Sequence, residues 1–332
     1  MHIFDCTLRD GANVVGCGFN ALLTDLIIAN LIDCGITTLE LGNAYGLGAY
    51  EAKPSIAPLD DAGYLEIAAR YADQGELGMF LLYQNATQER ILQAKKAGLS
   101  FLRVGANAGA AAKAVAAVRM VKNAGLKCFY SAMKCYAIPP ETLAEEASLL
   151  ESAGLDVFTM MDSAGTMLPS EVSSTVSALR RAVRIPIGFH GHNNLGLSVG
   201  NALAALDAGA EYLDTGLMGM ARSAGNCATE LLIGALERKG LATGCDFFKL
   251  CSFLDEKLSP AMREYGYSSA VSPKDLVLGY SGCHSSFVSM FQTVAASFDV
   301  PLYQLIAETS RFEKSTPTKE LAEEVARRLA SI

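Results

Sequence analysis

A short motif recurs along the chain and constrains the fold more than any other feature of the sequence. In each copy a helical stretch ends at a glycine, and a short apolar run follows at once. Glycine just past a helix end adopts the left-handed conformation that turns the chain into the next element. The six copies are DCG-ITTLELG (33–42), DQG-ELGMFLLY (73–83), KAG-LSFLRVG (96–105), NAG-LKCFYSA (123–132), SAG-LDVFTMMD (152–162) and DAG-AEYLDTG (207–216). The motif therefore predicts alternating helices and strands.

Two further apolar runs, HIFDCTLRD at the start of the chain and IPIGFHGH ending at residue 192, bring the predicted strands to eight. Eight strand–helix units over about 240 residues match a (β/α)8 TIM barrel in number and size. The alternative is a doubly wound open sheet, but the GxGxxG turn that it favours is absent after the first strand. We therefore predict an α/β fold with a TIM-barrel catalytic domain over residues 1–240.

The alternation stops beyond residue 240, where only helical patterns remain. Residues 246–266, 284–299 and 317–331 have helical character, with no comparable strands between them. We predict a helical C-terminal domain over residues 241–332.

Composition excludes several classes of protein. Hydrophobic residues make up 51% of the chain, which buried parallel strands explain, yet no apolar run reaches the ~18–20 residues of a membrane span. A net charge of -8 argues against a nucleic-acid partner. The nine cysteines form no CxxC pair, and Met1 leads directly into a strand-like segment. We expect a cytoplasmic protein without a membrane partner.

Two of the four histidines stand one residue apart in the stretch GFHGHNNLG. His190 and His192 share one face of a strand end, because side chains at i and i+2 point the same way. Barrel enzymes act at the C-terminal ends of their strands, where the first strand offers Asp10. One carboxylate and two imidazoles at one rim predict a divalent-cation site. The alternative is that both histidines only line the barrel.

Longer motifs carry a resemblance that covers almost the whole chain. They are TLRDG (7–11), HGHNNLGLSVGNALAALDAGAEYLDTGLMGM (190–220), SAGNCATELLIGAL (223–236) and GYSGCHSSF (279–287). Together they resemble the 4-hydroxy-2-oxovalerate aldolases, which are pyruvate aldolases of the HMG-CoA lyase-like (DRE-TIM) superfamily. The resemblance implies a metal-dependent carbon–carbon lyase that cleaves or forms a 4-hydroxy-2-oxo acid, with pyruvate and an aldehyde as the other reactants.

The resemblance also implies roles for individual residues. Asp10, His190 and His192 would hold Mn2+ or Mg2+, and Asn226 would lie on or near the metal, unless it only caps the helix that follows it. Arg9 would stabilise the enolate oxygen of pyruvate, unless it is a salt-bridge partner at the barrel rim.

Partners follow from the same resemblance. We expect small-molecule 2-oxo acid and aldehyde substrates, a homo-oligomer, and an aldehyde dehydrogenase subunit that binds through the C-terminal region.

The chain departs from the aldolase pattern at several positions. Asn13 stands where the family places a histidine that acts as catalytic base, and His284 replaces a tyrosine. Arg222 stands in a loop that is normally uncharged, and the segment after strand five reads MKCY (133–136). Because an amide does not titrate, we predict that His284 has taken over the proton transfer. The alternatives are a histidine that only hydrogen-bonds, and a water molecule made acidic by the cation.

Three other functions stay open at this point. Two histidines and a carboxylate also form the facial triad of non-haem Fe(II) oxygenases. An acyl-CoA lyase or condensing enzyme of the same superfamily would share the fold. A degenerate aldolase homologue that serves as a non-catalytic partner subunit would explain the missing base at Asn13.

Overall fold

Eight parallel strands close into a barrel in the computed structural model, which describes residues 1–53 and 56–331. Each strand pairs with its neighbour in sequence, and the first pairs with the last, with His2 opposite Tyr212. The strands are β1 (His2–Asp5), β2 (Thr38–Leu41), β3 (Glu76–Leu82), β4 (Phe101–Asn107), β5 (Lys127–Met133), β6 (Val157–Asp162), β7 (Ile187–Gly191) and β8 (Tyr212–Thr215). The predicted (β/α)8 TIM barrel is confirmed, and the open-sheet alternative is wrong.

Helices follow the strands around the barrel. They are α1 (Ala21–Asp33), α2 (Ala49–Ala52), α3 (Asp61–Ala69), α4 (Gln88–Lys96), α5 (Ala111–Asn123), α6 (Pro140–Ser152), α7 (Pro169–Ala182), α8 (Ser198–Asp207) and α9 (Thr229–Arg238). Polar side chains cap the N-termini of several of these helices. Asn20 accepts the Leu23 N–H at 2.9 Å at the start of α1, and Thr87 accepts the Arg90 N–H at the start of α4. Such caps satisfy N–H groups that have no partner within the helix.

The glycines of the recurring motif serve two purposes. In five of the six copies the glycine has a positive φ, as at Gly35, where φ is +91° and a Cβ atom would lie 2.3 Å from the Gly244 carbonyl oxygen. Gly75 in the second copy has no positive φ; a Cβ there would lie 2.7 Å from the Thr37 carbonyl oxygen. Left-handed turns explain five copies, and close backbone approach explains the sixth.

Aromatic rings fill the barrel near the start of its strands. Phe4, Phe101 and Phe129 contact one another with ring centroids 4.7–5.5 Å apart, and Val157 and Cys6 complete the cluster. These side chains come from four different strands or the residue after one, so they lock the strand ends together. The space near the start of the strands is thus filled by side chains, and the C-terminal end is where barrel enzymes carry their sites.

The chain divides into two units, one of residues 1–232 and 243–245, the other of residues 233–242 and 246–331. The second unit is helical, with α10 (Phe247–Phe253), a π-helical turn (Leu254–Leu258), α11 (Ser259–Glu264), α12 (Pro273–Ser281), α13 (Val288–Phe298), α14 (Leu302–Phe312) and α15 (Lys319–Leu329). Helices α12 and α14 were not predicted, although Ser272 caps α12 and a proline precedes or opens each. Across the described residues, no helix combines the length and the apolar character that a membrane span requires.

The turn after β8 is held by a buried carboxyl group. Glu230 in α9 is 2% exposed and accepts the Met218 N–H at 3.0 Å, and Met218 adopts a left-handed φ of 58°. The preceding Leu217 N–H donates to the Thr7 hydroxyl at 2.8 Å, so the turn is tied to β1 as well. Burial raises the pKa of Glu230 from 4.5 to about 7.

We expect Glu230→Gln to remove part of the pH dependence of folding. A carboxyl whose pKa is raised in the folded state binds its proton more tightly there, so stability falls as pH rises from 4.5 to about 7. Glutamine keeps the acceptor oxygen and never ionises. Relative to wild type, the variant should therefore gain about 3 kcal/mol in unfolding free energy between pH 4.5 and pH 8.

Chemical denaturation at both pH values measures this gain. Glu66→Gln, on the exposed face of α3, is the matched control and should follow wild type. A parallel pH dependence in Glu230→Gln and wild type would show that the carboxyl does not titrate as described.

Candidate metal centre

Three side chains converge at the C-terminal end of the barrel. Their ligand atoms all lie within 4.8 Å of one another, in a set made of Asp10, His190 and His192. Asp10 follows β1 in a turn where its N–H donates to the Cys6 carbonyl at 2.8 Å. Asp10 Oδ2 faces His190 Nε2 at 3.5 Å and His192 Nε2 at 3.8 Å. One carboxylate oxygen and two imidazole nitrogens thus point at one volume.

Asn226 adds a fourth polar group to this volume. Its Nδ2 donates to Asp10 Oδ2 at 2.9 Å, and its Oδ1 is buried without a hydrogen-bond partner. An isolated bridge between His192 and Asn226 brings the loop after β8 beside the end of β7. A buried amide oxygen without a partner is costly unless something binds it. The donor set of one carboxylate, two imidazoles and one amide oxygen therefore fits a divalent cation.

Burial and neighbouring charges favour the metal-ligating form of Asp10 and of His192, but not that of His190. Burial together with the neighbouring His190 lowers the pKa of His192 to about 4, so this imidazole is neutral at pH 7. Burial alone would raise the pKa of Asp10, but Arg9 and the two imidazoles outweigh it and hold that pKa well below its usual range. Burial would lower the pKa of His190, but Asp10 and Asp214 outweigh it and raise that pKa. A cation would therefore compete with a proton for Nε2 of His190.

Arg9 lies beside the metal candidates with one donor left over. It is 6% exposed; its Nε donates to Glu40 Oε2 at 2.6 Å and its Nη1 lies 3.0 Å from Asp10 Oδ1. The guanidinium also stacks over Phe80, with Cζ 5.0 Å from the ring centroid. Its Nη2 is buried and has no hydrogen-bond partner among the described residues. Arg9 thus forms the salt bridges of one alternative weighed from the sequence, while its role toward the enolate oxygen stays a prediction.

Asn13 hydrogen-bonds to Asp10, the carboxylate among the candidate metal ligands. It lies in a single 3-10 turn (Gly11–Val15), and its Nδ2 donates to the Asp10 carbonyl at 2.8 Å and lies 3.4 Å from Asp10 Oδ1. An amide here can hydrogen-bond but cannot move a proton.

A close backbone contact fixes the loop that carries His192. Gly165, after β6, has a φ of +59°, and a Cβ atom there would lie 2.6 Å from the His192 carbonyl oxygen and from the Asn194 amide nitrogen. The carboxylate of Asp162 accepts the Thr166 and Met167 N–H groups at 3.1 Å and 2.9 Å, which shapes the same turn. Asp162 is thus occupied by backbone groups.

His284 and Arg222 are two further departures from the aldolase pattern. His284 belongs to the second unit, where it is exposed and caps a short 3-10 turn (Ser285–Phe287): its Nδ1 accepts the Ser286 N–H at 3.2 Å and lies 3.0 Å from the Ser286 hydroxyl. Arg222 is exposed, with its Cζ 5.6 Å above the Tyr45 ring, and forms no ion pair within the described chain.

Sequence reasoning missed three charged residues beneath the metal candidates. Glu40, Arg103 and Asp214 are at most 3% exposed, and each stands within a strand of otherwise apolar character. Arg103 Nη2 donates to Asp214 Oδ2 at 2.5 Å, and Asp214 Oδ2 lies 3.0 Å from His190 Nδ1. A charged residue inside the apolar runs TLEL, FLRVG and YLDT was the signal that could have found them.

Comparison with known proteins agrees with this architecture. The chain is 34% identical over 330 residues to a 4-hydroxy-2-oxovalerate aldolase of Carboxydothermus hydrogenoformans, covering 99% of this chain and 97% of that protein. It is 36% identical to 4-hydroxy-2-oxovalerate aldolase 2 of Nocardia farcinica, covering 99% and 94%.

A solved structure shares the fold at lower identity. The HMG-CoA lyase of Bacillus subtilis superposes with a TM-score of 0.64 at 18% identity, covering 84% of this chain and 97% of that one. The HMGL-like family model matches residues 1–256. The extent of that match, together with relatives above 30% identity along almost the full length, establishes that the chain belongs to the HMGL-like family.

Proposed function

We propose that the protein is a divalent-metal-dependent aldolase that cleaves a 4-hydroxy-2-oxo acid into pyruvate and an aldehyde, or forms it from them. The observation that carries this proposal is the cluster of Asp10, His190 and His192 beside a buried arginine that has one free N–H group. The names of the full-length relatives support the same reaction class. They do not favour the oxygenase, the acyl-CoA enzyme or the non-catalytic subunit.

The metal of the proposal is Mn2+ or Mg2+. The HMGL-like family depends on divalent metals in general, and Asp10, His190, His192 and the Asn226 oxygen would hold the ion here. When bound, the cation supplies a Lewis acid for the enolate that carbon–carbon cleavage leaves behind.

Arg9 binds and orients the 2-oxo acid in this proposal. Its guanidinium is fixed by Glu40 and Asp10, so Nη2 is held in place before substrate arrives. A preorganised donor aimed at a developing oxyanion stabilises the transition state without reorganisation. Asn13 holds Asp10 in position through its backbone carbonyl.

Proton removal from the 4-hydroxyl group is assigned to His284. A neutral imidazole accepts a proton at one nitrogen, and in His284 the lone pair on Nδ1 accepts the Ser286 N–H, so proton transfer requires Nδ1 to release this hydrogen bond. A homo-oligomer, an aldehyde dehydrogenase partner and a cytoplasmic location remain predictions. No disulfide bond joins any of the nine cysteines, all of which lie within the described residues.

The proposed reaction predicts aldol condensation of pyruvate with an aldehyde. Purified protein with Mn2+ should form a 4-hydroxy-2-oxo acid from pyruvate and at least one member of a panel of short aldehydes, detected by chromatography and mass spectrometry. A chelator should abolish the product, and added Mn2+ should restore it. If no aldehyde reacts and Mn2+ promotes no proton exchange at the pyruvate methyl group, the protein is not an aldolase.

Metal binding should depend on the proposed ligands. We expect Asp10→Asn and His192→Ala to weaken Mn2+ binding by at least about 10–100-fold, because each removes a ligand atom from the set. Titration of free Mn2+ followed by electron paramagnetic resonance measures the affinity. His2→Ala, a histidine stacked on Tyr212 at the other end of the barrel, is the matched control and should bind Mn2+ like wild type. Wild-type affinity in either ligand variant would remove that residue from the site.

The pH–rate profile tests the assignment of His284. We expect His284→Ala to lose at least about tenfold in kcat and to lose the acidic limb, which reports the imidazole losing its proton. Ser286→Ala removes the hydroxyl beside Nδ1 but keeps the imidazole, so it should retain that limb. An unchanged profile in His284→Ala would place the base elsewhere.

A further inference from the structure

Six charged or titratable side chains form a closed ring under the candidate metal centre. From Arg9 the ring runs to Glu40, Arg103, Asp214, His190 and Asp10, and Asp10 returns to Arg9. The six come from five different parts of the barrel wall: the turn after β1, then β2, β4, β7 and β8. Each is at most 6% exposed. The ring therefore joins the metal candidates to the substrate-facing arginine through protein groups alone.

Asp214 and His190 form one arm of the ring, in which Asp214 sets the orientation of the His190 imidazole. Asp214 Oδ2 lies 3.0 Å from His190 Nδ1, which leaves Nε2 facing Asp10. A carboxylate on the far nitrogen of a ligating imidazole fixes its orientation and its tautomer. Asp214 is thus placed to set the ligand that His190 offers.

Glu40 and Arg9 form the other arm, in which Glu40 sets the orientation of the Arg9 guanidinium. Glu40 Oε2 accepts the Arg9 Nε–H at 2.6 Å, and Nη1 forms an ion pair with Asp10 Oδ1 at 3.0 Å, so Nη2 is the donor nitrogen that remains. Without Glu40 the guanidinium could rotate about its side chain and lose that orientation.

Arg103 is the only described member of the ring that touches both arms from below. Its Nη2 donates to Asp214 at 2.5 Å, and its Nη1 lies 3.8 Å from Glu40 Oε1, which is an ion pair and not a hydrogen bond. It is 0% exposed, and its Cζ lies 4.5 Å above the Phe4 ring, which confines the guanidinium plane. A planar fork reaches two carboxylates at once, whereas a lysine ammonium is a single point of charge.

We propose that Arg103 is a positioning residue that holds two carboxylates in one geometry: Asp214, which contacts His190, and Glu40, which contacts Arg9. The affinity for Mn2+ and the affinity for pyruvate therefore both depend on Arg103. The inference rests on the proposed function, from which it takes Mn2+ and pyruvate as ligands. If Arg103 only neutralised the two buried carboxylates, a lysine at this position would serve equally well.

The experiment measures two affinities in the absence of any aldehyde. Mn2+ binding is followed by electron paramagnetic resonance, and pyruvate binding to protein saturated with Mn2+ is followed by calorimetry. We expect Asp214→Asn to weaken Mn2+ binding by about 10–100-fold and to change pyruvate affinity by less than about threefold. We expect Glu40→Gln to show the reverse pattern. Arg103→Lys, which keeps the charge, should weaken both affinities by about tenfold or more.

Tyr130→Phe is the matched control. Tyr130 is also fully buried in the barrel wall, and its hydroxyl has no hydrogen-bond partner, so both affinities should stay at wild-type values. Circular dichroism spectra establish that each variant is folded.

Wild-type affinities in folded Arg103→Lys would overturn the inference. If that variant does not fold, the two arm variants decide: equal losses of both affinities, or no loss, in Asp214→Asn and Glu40→Gln would overturn it as well. A wild-type protein that binds Mn2+ and pyruvate but processes no 4-hydroxy-2-oxo acid refutes the proposed function and leaves this inference standing.

Discussion

The pairing of β1 with β8 is the interaction on which the candidate site depends. Asp10 lies 180 or more positions from His190, His192 and Asn226 in the chain, and closure of the barrel brings them together. The register sets Phe4 against Asp214 and Asp5 against Thr215, and Cys6 extends it by donating its N–H to the Thr215 carbonyl at 2.8 Å. Because side chains alternate along a strand, a slip of one residue would turn every inward group of β1 away from the barrel interior.

Buried charge is the second constraint, and it works against stability. Removing ionised groups from water costs several kcal/mol for each ion, and their mutual attraction often only compensates for this. Arg103, Glu40 and Asp214 occupy interior positions where apolar side chains would pack without that cost. The aromatic cluster around Phe101 and the barrel closure must offset it. Such a network is explained better by the geometry that it imposes than by the stability that it adds.

The fold was largely readable from the sequence, because glycine and apolar patterns are local signals. The six glycine motifs and two further runs located all eight strands, and the six strands that follow a motif glycine begin one to three residues after it. Helices α12 and α14 were missed because interpretation relied on apolar periodicity, while their clearest signals are Ser272-Pro273 and Pro301 at their starts. The site was readable where residues formed a motif, as in TLRDG and HGH. The charged ring was not, since its contacts join residues up to 180 positions apart that carry no joint pattern.

Gly165 shows how a site can be lost without the loss of any functional group. Its missing Cβ leaves room for the backbone of His192 and Asn194, and its φ of +59° is one that other residues rarely adopt. An alanine at this position would keep every ligand atom, hydrogen-bond donor and charge of the centre unchanged. It would nevertheless push the loop of His192 outward by the space that one methyl group requires. The candidate site therefore tolerates few substitutions for two reasons. One is the chemistry of its ligating side chains, and the other is the lack of space for any side chain at Gly165.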